Sequence, residues 1–328
     1  MTVPASSVSP LAHEGRLAHF PVALFSTVMG MAGLAIAWLK AHHDGSVPLD
    51  IGLALRWLAS GLYVFLLAIY AAKALRHPDA VRSDWGHPVR LNFFPAISIG
   101  LILLGIAWAQ DAPGAARWLW GIGAAAHLTF TLLAMSSWIH HAHYDIRHAN
   151  PAWFIPVVGN ILVPIAGVRF APLDVSWFFF SIGLVFWLVL KTIVLYRLFF
   201  HEALPARLTP TLFILIAPPA VGFISYVALT GQLDAFARVL YFTALFLTLL
   251  LASNAVRFFR LPFFISAWAY SFPLAAMTIA TFEMSARSGS AFYAGLSWGL
   301  LAILSAVVAL LALKTLAAAA GHRICVPE

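Results

Sequence analysis

The sequence predicts an all-α polytopic membrane protein. Ten transmembrane helices are expected as five helical hairpins, with an inner ring of five kinked odd-numbered helices around a pore and an outer ring of five even-numbered helices. Three observations predict this. Of 328 residues, 62% are hydrophobic and only 9% charged, where soluble domains carry about 25% charged residues. Long stretches without Asp, Glu, Lys or Arg recur, each near the roughly 20 residues that cross a bilayer core. Prolines fall in every second one of these stretches and in none of the others.

Eight stretches carry no charge: 20–38, 91–110, 118–139, 151–168, 208–232, 239–256, 261–282 and 288–313. Two more, 51–72 and 175–195, carry one base each, Arg56 and Lys191. Such long basic side chains are expected to snorkel to the headgroups. The domain boundaries follow: an N-terminal tail over 1–19, a ten-helix transmembrane domain over 20–318 and a C-terminal tail over 319–328. Thirteen of the 19 Lys and Arg residues fall on the side that holds both termini, and six on the other. The positive-inside rule makes the first side, and so both tails, cytoplasmic. The first apolar run starts too late and has too many successors to read as a signal peptide. The one cysteine, Cys325, excludes an internal disulfide and a cysteine metal cluster. The net charge of +7 therefore reports topology, and no nucleic-acid partner is expected.

The prolines carry the organisation. Pro21 lies in the first stretch, Pro95 in the third, Pro156 and Pro164 in the fifth, Pro218 and Pro219 in the seventh, and Pro273 in the ninth. Proline removes a backbone donor and bends a helix. The freed carbonyls need neighbouring helices, hydroxyls or water, which lipid cannot replace. The odd helices therefore belong inside, with kinks at Pro21, Pro95, Pro156, Pro218 and Pro273. Gly30, Gly33, Gly100, Gly105, Gly159, Gly167 and Gly222 also lie on odd helices, where small residues permit close approach.

The odd spans contain no charge, which argues against a coupled carrier with an embedded acid. Their polar residues are few, among them Ser26, Thr27, Asn92, Ser98, Asn160, Thr211, Ser225, Ser271 and Thr278. Hydroxyls of this kind commonly bond their own preceding carbonyls. A weakly polar conduit suits passage better than tight binding, and the basic inner side favours anions. Phe272, directly before Pro273, is the candidate for a hydrophobic constriction that blocks the conduit.

Histidines 140, 141, 143 and 148 crowd one short connection. That density suits metal binding or pH sensing, but a solvated loop is the preferred reading, with no metal. His127, in the fourth span, has no acidic partner in sequence and reads as a satisfied packing histidine. With no paired acid and base at mid-depth, no enzyme activity and no cofactor are expected.

Four short motifs carry a resemblance. "VVGN" at 157–160 and "AWAYSFP" at 267–273 resemble the plant slow-type guard-cell anion channels, and "HPVR" at 87–90 and the first span ending "LAIAW" resemble the bacterial TehA branch. Together they resemble the tellurite-resistance/C4-dicarboxylate transporter family over about residues 20–313. The resemblance implies a homotrimer in a bacterial inner (plasma) membrane, each protomer with its own pore. It implies that Phe272 is the occluding gate, supported by Pro273. Phe25, Phe93, Phe154 and Phe213 map to pore-facing aromatics, and Ser271 beside the gate joins them as a pore-lining candidate. Proline stands where the bacterial branch has glycine after the gate, which is closer to the plant pattern. The chain has no counterpart of the plant proteins' long phosphorylated tails, so kinase-dependent opening is not expected. The expected function is a gated anion channel for chloride, nitrate and carboxylates, with small inorganic or organic acid anions and membrane lipids as partners. The alternatives are a proton-coupled or facilitative carrier of C4-dicarboxylates, sulfite or tellurite-related anions, and a non-transporting tellurite-response protein.

Overall fold

The computed structural model describes residues 15–43, 49–140 and 144–325. Among these there are helices and no strands. Ten helices are long and apolar enough to cross a membrane: Val22–His43, Asp50–Arg76, Arg90–Trp108, Pro113–His140, Pro151–Phe170, Leu173–Phe200, Thr209–Thr230, Ala235–Ala252, Ile265–Ser288 and Ala291–Ala320. The expected number and order of spans are therefore present. Several run past the charge-free stretches, because Arg76 and Lys314 continue their helices beyond the apolar core. A short helix at Pro78–Gly86, not anticipated from hydropathy, links the second and third spans.

Odd and even spans differ in backbone. Each even span is one continuous α-helix. Each odd span begins as a 3-10 turn and then changes to α: Val22–Leu24 into Phe25–His43, Arg90–Phe93 before Ala96–Trp108, Thr209–Ile216 into Ala217–Thr230, and Ile265–Tyr270 into Ser271–Ser288. The fifth alternates twice, through Pro151–Trp153, Phe154–Val158, Gly159–Leu162 and Pro164–Phe170. The prolines sit at these changes. Pro95 precedes its α segment, Pro164 opens one, and Pro156, Pro218, Pro219 and Pro273 fall within the first three residues of theirs. There the missing N–H is one the helix would leave unpaired anyway. Pro21 is a correction: it stands in extended backbone before the first 3-10 turn, so it starts the span and does not kink it.

Side chains close the gaps these changes leave. Ser26 donates to the Ala23 carbonyl at 2.6 Å, Thr27 to Leu24 at 2.7 Å, Ser98 to Pro95 at 2.8 Å, Thr211 to Leu208 at 2.6 Å and Ser271 to Trp268 at 2.6 Å. The Asn160 amide does the same to Val157 at 2.7 Å. Every one reaches three residues back, the spacing at which a 3-10 turn presents its carbonyl. The seventh and ninth spans end on Gly231 (φ 71°) and Gly289 (φ 65°), left-handed positions that suit glycine.

Packing follows the same division. The five odd spans touch in cyclic order, first to third, third to fifth, fifth to seventh, seventh to ninth and ninth back to first. Each even span lies against its own hairpin partner and the next odd span in that order. Over an 18-residue apolar window of each span, 72–78% of the residues are buried in the odd spans against 28–33% in the even spans. The even spans turn large apolar side chains outward, such as Trp57, Trp118, Phe178, Phe246 and Phe292. That surface is costly in water and ordinary in lipid.

Charges gather at the two ends. On the face that holds both ends of the described chain, buried Lys73 donates to Asp84 at 2.6 Å and to the Phe20 carbonyl at 2.8 Å, and Arg90 meets Asp84 at 2.7 Å. This cluster ties helix Pro78–Gly86 to the starts of the first and third spans. Arg16 donates to His322 at 2.7 Å, so the two ends of the described chain meet on this face. Burial pushes the nearby Cys325 thiol up, against the opposing pull of Arg16 and Lys73. At the other end Glu283 bonds Lys40 at 2.7 Å and Arg287 at 2.5 Å. Arg56 corrects an expectation: it does not snorkel but is buried, its guanidinium 3.8 Å over Trp108 and paired with Asp111. Lys191 stacks on Trp187 at 4.8 Å.

Lys73→Met leaves Asp84 buried with one cation instead of two, and is expected to cost about 3 kcal/mol, read from unfolding in mixed micelles. Arg82→Ala breaks the exposed Asp79 pair and is expected to leave the transition unchanged.

Candidate functional site

The cyclic packing surrounds a partly open cavity of about 70 Å³, room for about five water-sized particles at the roughly 10–15 Å³ each requires. Every odd span lines it: Ser26 and Met29 from the first, Phe93 and Ile99 from the third, Phe154 through Leu162 in part from the fifth, Ile214 to Val221 in part from the seventh, and Ser266 to Pro273 in part from the ninth. No even span contributes a lining residue. The lining carries no charged side chain, and its two hydroxyls are committed: Ser26 to the Ala23 carbonyl and Ser266 to the Arg207 carbonyl. A surface of this kind offers an ion nothing in exchange for its water.

Phe272 and Pro273 both line this cavity, and the Phe272 ring is half-buried. It lies opposite the first span, where its Cδ2 is 3.6 Å from the point a side chain on Gly33 would occupy. The change from 3-10 to α falls immediately before Phe272, at Tyr270–Ser271. Pro273, in the first turn, costs no backbone hydrogen bond there.

Six other sequence candidates divide. Phe93 and Phe154 line the cavity, as does Pro218. Phe25 is buried away from it, edge-on to Tyr63 and Tyr70 of the second span with ring centroids 6.0 and 6.1 Å apart. Phe213 packs on Phe258 and Tyr270 at 5.0 and 4.7 Å and is not among the lining residues. Ser271 is spent on the Trp268 carbonyl and packs on Gly30, where an added Cβ would overlap its Oγ and stand 2.7 Å from its Cβ. Ring orientation depends on helix phase, which a broken helix does not keep. The aliphatic lining, Met29, Ile99, Leu162 and Val221 among it, carries no sequence signal that separates it from any other core residue.

The histidines also divide. His140 is exposed and bonds the Ser136 carbonyl at 2.9 Å. His148 accepts from the Asp145 amide at 3.1 Å and closes a turn. His141 and His143 lie outside the described residues. Among the described residues no three His, Cys, Asp or Glu side chains are grouped to hold a metal. His127 is fully buried and only half satisfied: Nδ1 meets Ser98 Oγ at 2.9 Å, and Nε2 has no hydrogen-bond partner among the described residues.

An all-helical membrane domain with five broken spans packed inside five continuous ones, around an uncharged cavity, defines the class. The sequence matches the voltage-dependent anion channel (SLAC1) family over residues 19–316, and the chain belongs to that family. It is an integral membrane protein. Among its relatives, the S-type anion channel SLAH3 of Arabidopsis thaliana is 32% identical over 279 residues, covering 81% of this chain and 43% of that one. The guard cell S-type anion channel SLAC1 of the same plant is 27% identical, covering 81% and 50%. The tellurite resistance protein TehA homolog of Haemophilus influenzae is 26% identical, covering 84% and 82%. The chain thus spans about half the length of these plant relatives.

The contact at Gly30 is testable. Gly30→Ala is expected to cost about 1–3 kcal/mol by forcing the first and ninth spans apart. Ser271→Gly added to it should restore part of that loss, and a double-mutant cycle of unfolding midpoints checks the coupling.

Proposed function

We propose that the protein is a gated anion channel, conducting chloride, nitrate and carboxylate anions through the cavity of each protomer, with Phe272 as the occluding ring. The observation that carries this reading is the apolar cavity enclosed by all five odd spans, into which Phe272 projects from a change of helix type. Such a lining favours a dewetted, closed conduit. Its lack of charge suits passage more than capture, and thirteen basic residues on the termini side concentrate anions at its mouth. The relatives named as anion channels support the same assignment. Pro273 holds the ring at the helix start, so that a small change in the 3-10 turn before it moves the side chain. The proposal includes a homotrimer in a bacterial inner membrane with both termini cytoplasmic.

Phe272→Ala is expected to raise chloride and nitrate current in planar bilayers by about tenfold or more, equivalent to removing roughly 1.4 kcal/mol of barrier. Reversal should follow the anion gradient alone. Unchanged current, with wild-type malate uptake that collapses when the proton gradient is dissipated, would replace the channel by a proton-coupled carrier.

A further inference from the structure

The fourth span lies outside the cyclic core, yet it brings one titratable group to the cavity wall. The Nε2 atom of His127 is 2.6 Å from the point where a Cβ on Gly159 would stand, and Cε1 is 2.7 Å from it. Gly159 lines the cavity, and so does Ile99, whose Cδ1 is 3.0 Å from the same point. The edge of the imidazole therefore fills the space that a side chain at 159 would take. At this place the cavity wall is one backbone thick.

The hydrogen bonds fix which nitrogen is free. Ser98 Oγ donates its one proton to the Pro95 carbonyl at 2.8 Å, so toward His127 it acts as acceptor, and Nδ1 carries the ring proton. Nε2 is then a buried lone pair without a partner among the described residues. The other polar groups nearby are already engaged: Thr131 donates to the Pro156 carbonyl at 2.7 Å and accepts from Asn160 at 2.8 Å. The fourth span packs on the third and the fifth. Facing the ring from these are the Pro95 carbonyl, Ser98 and Ile99 on one and Gly159 on the other, none of which titrates or carries charge.

We propose that His127 is the proton-binding site of the anion pathway: protonated at Nε2, it sets a positive charge behind the Gly159 wall and admits an anion to the cavity. This rests on the pathway reading above and adds the group that gives an anion its counter-charge. With no carboxylate against the ring, the permeating anion is the partner available to the imidazolium. Proton and anion then favour each other's binding by the same factor. Size and geometry point to small monovalent anions, chloride or nitrate, held as one proton and one anion together.

The test is made in the Phe272→Ala protein. Chloride current should rise as pH falls, by at most about tenfold per pH unit for one proton, and His127→Gln in the same background should flatten that dependence. An equal pH slope in both proteins overturns the inference while leaving the pathway intact; absence of any anion current overturns the pathway, and this inference with it. Should His127→Gln fail to fold, 15N-histidine NMR of the purified Phe272→Ala protein provides the reading. Adding chloride at fixed pH should move one imidazole resonance to the imidazolium position, and no such shift overturns the proposal.

Discussion

The structure depends on one constraint: a backbone group that loses its helical partner inside a membrane must find another within the protein, because lipid supplies none. Five spans break that rule locally by starting as 3-10 turns and changing to α, four of them at their prolines. Each change loosens carbonyls, and Ser26, Thr27, Ser98, Thr211, Ser271 and Asn160 take them up three residues back. Such segments cannot face hydrocarbon, so they turn to one another and close a cycle of contacts. The five continuous helices satisfy themselves and are free to take the lipid side.

The same constraint empties the centre of charge. A buried ion is stable where it is paired, and the pairs stand at the ends: Lys73, Asp84 and Arg90 on the termini face, Lys40, Glu283 and Arg287 at the other. Between them the cavity is apolar, with its hydroxyls already committed. On the proposed reading, such a cavity holds ions only when something in or behind its wall changes. The two proposals assign that change to Phe272, in the cavity lining, and to His127, behind Gly159.

Much of the fold was legible in the sequence, since span number, span order and the inside–outside division follow from charge-free length and proline placement alone. The place of Phe272 in the cavity lining was legible because it adjoins Pro273, beside the change from 3-10 turn to α. Phe25 is placed differently from the expectation because it is the first α residue after the 3-10 turn Val22–Leu24, where no proline marks the change, and its ring faces Tyr63 and Tyr70. Arg56 looked like a snorkelling base because Asp111 is 55 residues away and only the fold joins them. His127 read as a satisfied packing histidine because its contact with Gly159, on another span, exists only in the fold. The aliphatic lining was not legible at all, as no chemical feature separates Val221 from a residue facing the core elsewhere.

The central claim is that water-soluble anions travel through the space the odd spans enclose. Thiol modification tests it most directly. With Cys325, the one native cysteine, replaced by serine, single cysteines at Met29, Val158 and Val221 sample three of the five odd spans, and one at Val64 samples the exposed face of the second span. In the Phe272→Ala background, a small anionic thiosulfonate added from water should react at the three cavity positions and suppress the anion current, and chloride should slow that reaction. Reaction at none of the three, or current that survives their modification, would contradict the account and move the anion path out of the cavity.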